Sequence, residues 1–359
     1  MCGGGHRAGA RPDDERHRVG DDAECISIIG LGGKLSKLAI FEPIQAELAL
    51  VEARLREAQS VNDDEFDLVS EALGHLLGSG GKRMRPALSL LTGRLYPSDL
   101  DKIVSLAAAV EMLHTATLVH DDVVDGSLLR RGSPTLNARW SPGATILTGD
   151  YVFARAADLA AQTDNVRVMR IFARTLMTIV SGELRQQFSD TRLRQTREDY
   201  FKRIYAKTAS MFELATEAAG VLIGAPEDEI AALHDFGHDL GIAFQIMDDV
   251  LDLIGETQQV GKPVAHDLRQ GIVTLPVIDY LDRQPDDRRV DELLRNGRRS
   301  DDAVLPIVEA VRASGSVDRA LAEARNYVRR SQSALQQLPA NAARQAMLDL
   351  ADYVVARSY

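Results

Sequence analysis

From Ile40 to the end of the chain, apolar residues return at intervals of three and four, and nowhere do they alternate over enough positions to make a convincing strand. Ile40, Ile44, Leu48, Val51 and Leu55 set the pattern. A 3.6-residue period puts such residues on one face of a helix, so the chain must bury helix stripes against one another. The same spacing predicts helices over residues 66–77, 86–95, 101–125, 143–162, 165–188, 199–223, 227–254, 272–282, 302–313, 316–337 and 341–357. Pro86 suits a first helical turn and Gly126 a stop. An all-α protein with a single domain over residues 39–359 is expected. Residues 1–38, rich in Gly, Arg, His and Asp, are expected to be disordered or loosely attached.

Charge and cysteine usage narrow the function classes. Lys and Arg number 42 against 53 Asp and Glu, a formal net charge of -11, which argues against nucleic acid or anionic lipid as a general partner. An anionic substrate must therefore be gripped locally. Cys2 and Cys25 both precede the helical body, which is left without a disulfide framework or thiolate metal site and fits a reducing cytoplasm. No apolar run approaches the roughly 18 to 20 residues that span a bilayer, and the start carries acids where a signal peptide would be apolar. A soluble, cytoplasmic protein with no transmembrane segment is expected.

The helix over 101–125 is almost wholly apolar through LAAAVEMLHTATLVH, then delivers Asp121, Asp122 and Asp125 at its C-terminal end. Carboxylates there face the negative end of the helix dipole, which costs about 0.5 kcal/mol per charge, so a cation should offset them. Asp121 and Asp125, four apart, share a face and can hold a hard cation through oxygen. The motif returns in AFQIMDDVLDLIG, with Asp248 and Asp252 four apart and Asp249 beside them. One such cluster could be a solvated helix end. Two, each in a helix apolar enough to line an interior, suggest facing walls of carboxylate. With no His or Cys cluster beside them, Mg2+ is expected rather than calcium or zinc.

Cations recur nearby. Lys82, Arg83 and Arg85 stand between a Gly pair and Pro86, Arg130 and Arg131 follow the first acidic cluster, and Lys207 with Thr208 and Lys262 with Asp267 are further candidates. Each alone reads as a surface cation. Together with metal-binding acids they suggest two diphosphates, one bridged by metal and one gripped by Lys and Arg.

GGKRMRP, LHTATLVHDDVVDGSLLRRG, TGDYVFARA, GELRQQ, KTAS, FQIMDDVLD and GKPVAHDLRQGIVTLP occur in this order, and over residues 40–359 the chain resembles the trans-isoprenyl (polyprenyl) diphosphate synthases. The resemblance implies helices around a deep central cavity, usually in a homodimer. It also implies a prenyltransferase that joins isopentenyl diphosphate head-to-tail to an allylic diphosphate primer. Matched position by position, Asp121, Asp125 and Asp248 would coordinate about three Mg2+ ions around the allylic diphosphate, with Asp122, Asp249 and Asp252 in support. Lys82, Arg85, His114 and Arg131 would grip isopentenyl diphosphate, with Arg83 beside them. Arg130, Lys207 and Lys262 would hold the allylic diphosphate. Thr208 and Gln245 would lie beside the reacting carbons, and Asp267 would close the last motif. A lone His on an apolar helix face, such as His114, is more often a satisfied core residue than a ligand-binding one.

Small residues at Ala116 and Thr117, five and four before Asp121, stand where short-product members of the family tend to carry bulky aromatics. Met112, Leu113 and Phe172 are the next candidate obstacles, and a medium- or long-chain product is expected, released with at most peripheral membrane contact. Two positions depart from the pattern: Ala265 replaces a usual Gly, and Ile272 a frequent Lys. A synthase stopping at geranylgeranyl diphosphate is the nearest alternative. A terpene cyclase would normally replace the second aspartate motif, a membrane prenyltransferase would need spanning helices, and a non-catalytic partner subunit would lose an aspartate motif or the basic anchors.

Overall fold

The computed structural model describes residues 39–59, 70, 72–74, 76, 83–130, 133–188, 195–255, 264–296 and 300–356. The extension with Cys2 and Cys25, most of the predicted helix 66–77, and Lys82, Arg131 and Lys262 lie outside them. A 3-10 turn, Ala39–Ile44, leads into α1 (Gln45–Gln59), and α2 (Met84–Gly93), α3 (Leu100–Val124), α4 (Leu136–Arg139), α5 (Pro142–Ala161) and α6 (Val166–Phe188) follow. α7 (Arg197–Ile204) passes through a π-helical turn, Tyr205–Ala209, into α8 (Ser210–Leu222). Next come α9 (Glu227–Ile254), α10 (His266–Gln270), α11 (Leu275–Arg283), α12 (Arg289–Asn296), α13 (Asp301–Ala313), α14 (Ser316–Ala334) and α15 (Ala342–Ala356). All belong to one compact unit, Gly32–Tyr359.

Local chemistry explains the boundaries that matter. Asp99 caps α3, its carboxylate accepting from the backbone N–H of Asp101 at 3.1 Å. At the other end Gly126 adopts φ 62, and its N–H reaches Val123 O at 3.2 Å while that of Ser127 reaches Asp122 O at 2.9 Å. This paired glycine cap ends the helix within the first aspartate cluster. Thr196 and Asp199 form a reciprocal capping box that starts α7.

The core gathers around α3, which packs against α1, α2, α5 and α8, while α9 packs against α8 and α14. Neighbours cover α3 on several sides, so its apolar residues are not confined to one stripe. Leu106, Val110 and Leu113 are fully buried, each contributing about 1.5 to 3 kcal/mol. By length and composition α3 could cross a membrane, contrary to the expectation that no apolar run comes close. However, 78% of its apolar window is buried inside the fold, as in the core helix of a globular unit.

Three other expectations change. The helix predicted over 199–223 is interrupted by the π-helical turn, and the one over 272–282 begins at Leu275 with α10 before it. A small antiparallel hairpin, β1 (Leu129–Arg130) with β2 (Ser133–Pro134), pairs Arg130 with Ser133. Two residues per strand are too few to show alternation.

Candidate active site

α3, α6, α9 and the π-helical turn enclose a cavity of ≈ 520 Å³. His114, Thr117, Leu118, Asp121 and Asp125 reach it from α3, at the three- and four-residue spacing of one helix face. Phe244, Gln245, Asp248 and Asp249 enter from α9. The two acidic clusters, far apart in the chain, therefore line a single hollow. Ile179, Glu183 and Gln186 complete the wall from α6, and Phe212 adds apolar surface from α8.

Lys207 projects between the walls. Its Nζ lies 3.0 Å from Asp121 Oδ2 and 3.0 Å from Glu183 Oε1. Burial opposes its charge, but these carboxylates outweigh that effect and raise its pKa. Burial likewise raises Glu183, against the pull of Lys207. Arg130, placed by the hairpin, sets Nε and Nη2 each 2.9 Å from Asp122 Oδ1.

A buried polar chain crosses the opposite wall. Thr208 Oγ1 donates to Gln245 Oε1 at 2.7 Å, Gln245 Nε2 donates to Asp249 Oδ1 at 2.8 Å, and the Tyr200 hydroxyl donates to Asp249 Oδ2 at 2.8 Å. Burial, reinforced by Asp267, pushes Asp249 up to about 8, while Gln245 and Tyr200 act in the other direction. Asp252 points elsewhere: its two oxygens accept the backbone N–H groups of His266 at 3.1 Å and Asp267 at 3.2 Å, so it caps α10 and is absent from the cavity lining. Ala265, just before that helix, has φ 57, a left-handed conformation that favours the glycine common at this motif position.

Among the predicted basic anchors, Arg85 lies on the cavity wall with its guanidinium 5.3 Å from the Phe212 ring centroid. Arg83 also lines the cavity, but its Nε lies 2.7 Å from Glu52 Oε1 and its Nη1 2.6 Å from Glu111 Oε1, tying α1 to α3. Thr117 faces the cavity. Met112, Leu113, Ala116 and Phe172 are buried in the core and are not among its lining residues; Leu118, Ile179, Phe212 and Phe244 supply the apolar wall instead.

Glu183, Tyr200 and Arg203 also belong to the site, although no aspartate or basic motif singles them out in the sequence. Arg203 lines the cavity one helical turn before Lys207, with Nη2 donating to Val273 O at 3.0 Å and its guanidinium 5.4 Å from the Tyr200 ring. The spacing of Arg203 from Lys207 and the presence of Glu183 in GELRQQ were the available signals. Among the described residues, no three acids, histidines or cysteines form a ready-made metal cage. A hard cation shared between one or two carboxylates, substrate oxygens and water needs none, and the all-oxygen donor set suits Mg2+.

Comparison with known proteins agrees with this architecture. The family model described as polyprenyl synthetase matches residues 66–311. The chain is 37% identical over 322 residues to heptaprenyl diphosphate synthase component 2 of Geobacillus stearothermophilus, covering 89% of this chain and 99% of that protein. The crystal structure of a decaprenyl diphosphate synthase from Rhodobacter capsulatus superposes with TM-score 0.82 at 38% identity, covering 88% of this chain and 98% of the other. A polyprenyl synthase from Caulobacter crescentus, crystallised with calcium and isoprenyl diphosphate, gives TM-score 0.82 at 35% identity over 89% of this chain and 97% of the other. The chain belongs to the polyprenyl synthetase family and is a trans-prenyltransferase of the all-α isoprenoid synthase fold.

Proposed function

We propose that this chain lengthens an allylic diphosphate with isopentenyl diphosphate, repeatedly, to a medium- or long-chain polyprenyl diphosphate, using Mg2+. The observation that carries this reading is Asp121 and Asp248 on facing helices of one cavity that also holds basic side chains and an apolar stretch of Leu118, Ile179, Phe212 and Phe244. Asp121, Asp125 and Asp248 would hold Mg2+ together with the primer's diphosphate oxygens. Bound there, the metal supplies Lewis-acid stabilisation of the negative charge on the departing diphosphate. Lys207 and Arg130 stand where they can take up part of that charge, and Arg85 and His114 line the cavity where isopentenyl diphosphate would sit. Leu118, Ile179, Phe212 and Phe244 exclude water from the allylic cation. The Thr208 and Gln245 oxygens face it with dipoles held by the Asp249 chain. The proton lost after the carbon–carbon bond forms goes to the released diphosphate.

Relatives named for heptaprenyl and decaprenyl products support a long product. A self-associating chain is supported by an exposed apolar series on α6, Met177, Val180, Leu184 and Phe188, spaced as an interhelical seam, with Ile146 and Leu147 exposed on α5. The relative named as component 2 of a synthase favours a second reading, in which a further chain is needed for full activity.

The test is purified protein with isopentenyl diphosphate, farnesyl diphosphate and Mg2+, followed by product sizing. Elongation that stops on chelation of the metal is expected. A folded protein that makes no product alone, but does so with a second chain, would decide for the two-component reading.

A further inference from the structure

We propose that Tyr205 and Glu213 are positioning residues that hold the π-helical turn in register, so that Lys207 and Thr208 face the cavity. The inference rests on the function proposed above. A π-helical turn inserts one residue into the i→i+4 ladder, packs poorly, and persists mainly where its surroundings enforce it. Here it separates two sets of side chains. Lys207 and Thr208 line the cavity, whereas Tyr205 is not among the lining residues and donates its hydroxyl to Glu213 Oε2 at 3.2 Å.

Glu213 sits in the first turn of α8 and is 5% exposed. Among the described residues its Oε1 has no hydrogen-bond partner, and His234 Nε2 stands 3.7 Å from Oε2. An apolar residue would fill this place without the desolvation penalty of a half-satisfied carboxylate, so packing alone does not account for Glu213.

The neighbouring helices clamp the turn at both ends. A Cβ on Gly182 of α6 would lie 2.4 Å from Ala206 Cβ, and one on Gly241 of α9 would lie 2.5 Å from Ala209 Cα. Close approach at Ala206 and Ala209 fixes where the backbone runs. The rotation of the turn about its axis is held on the cavity side by the Lys207 and Thr208 contacts and, away from the cavity lining, by the Tyr205 to Glu213 bond.

The experiment compares Tyr205→Phe, Glu213→Leu and Glu213→Gln in the full chain. Glu213→Gln keeps an oxygen that can accept from Tyr205. Tyr205→Phe and Glu213→Leu are expected to lower kcat about 10-fold to 100-fold or raise KM for the allylic primer, with KM for isopentenyl diphosphate within about twofold of the parent. Glu213→Gln should recover most of the loss. Amide hydrogen exchange over residues 205–209, which needs no activity, should accelerate in the first two variants and not in the third. If melting temperature falls in Tyr205→Phe while kinetics and exchange over the turn match the parent, the two residues serve stability alone and the inference is overturned. A parent chain inactive under every condition would count against the proposed function, and the exchange data would still decide this inference.

Discussion

The two aspartate clusters read alike in the sequence, yet the fold treats their middle and last members differently. In the first, Asp122 is gripped by the Arg130 guanidinium, both on the cavity wall. In the second, the middle residue, Asp249, is buried between a hydroxyl and an amide, with its pKa pushed up to about 8. The last residue of the first cluster, Asp125, lines the cavity, while that of the second, Asp252, caps α10. The repeated DDxxD pattern is therefore not a repeated site. Only Asp121 and Asp248 have equivalent places, one on each wall; Asp125 joins Asp121 on the cavity face, while Asp122, Asp249 and Asp252 are engaged by neighbouring groups.

Substitutions can sharpen or break this comparison. The largest losses belong to the equivalent pair: Asp121→Asn and Asp248→Asn should each lower kcat by about 10^3-fold, measured with saturating primer and Mg2+. Near-normal turnover in either would show that the walls are not matched. The middle pair should split. Asp122→Asn deprives Arg130 of its charged partner and is expected to lose about 100-fold in kcat/KM for the primer. Asp249→Asn, which keeps one carbonyl acceptor and carries no charge to bury, should lose no more than about 10-fold. Equal losses would mean that the two middle aspartates work alike after all.

Smaller effects concern the surrounding walls. Thr117→Phe, on the cavity face, should shorten the product. Ala116→Phe, one residue away in the packed core, should mainly cost stability, about 1 to 3 kcal/mol by chemical denaturation. Glu213, a buried carboxylate outside both clusters, serves as a control for burial. Its pKa is raised above 4.5, chiefly by desolvation, so the stability it contributes is fully present at acid pH and is lost as pH rises through the folded-state value. Glu213→Gln lacks that dependence, so its stability relative to the parent should rise as pH is raised from the acid side, read by chemical denaturation across pH. Last, Ala265→Gly relieves a left-handed alanine of about 1 kcal/mol of strain but adds freedom to the unfolded chain, leaving a melting-temperature change of only a few degrees.

Much of this site is legible in the primary structure. The long apolar run of α3 and the glycine after Asp125 locate the first cluster, and the similar apolar setting of Asp248 points to a facing wall. What stays hidden depends on rotation and on distant partners. Thr117 and Ala116 differ by one residue, about 100° around the helix, which separates cavity from core. Asp252 became a cap because α10 starts against it, a tertiary fact that no local spacing encodes. Arg83 resembles any anchoring cation until Glu52 and Glu111 close around it. Nothing in YAKTA distinguishes five-residue hydrogen bonding from an ordinary helix, so its spacing alone predicts one continuous helix through Lys207.

That turn has a bearing on how the segment can vary in length. It carries one residue more than a regular helix would use along the same path, so α7 and α8 are offset in phase by about 100° relative to an uninterrupted rod. Deleting a single residue between Tyr205 and Ala209 would restore ideal helical winding with both flanking helices left in place, but the turn would then present a different set of residues to the cavity. A change that improves local geometry would thereby scramble which side chains meet the substrate.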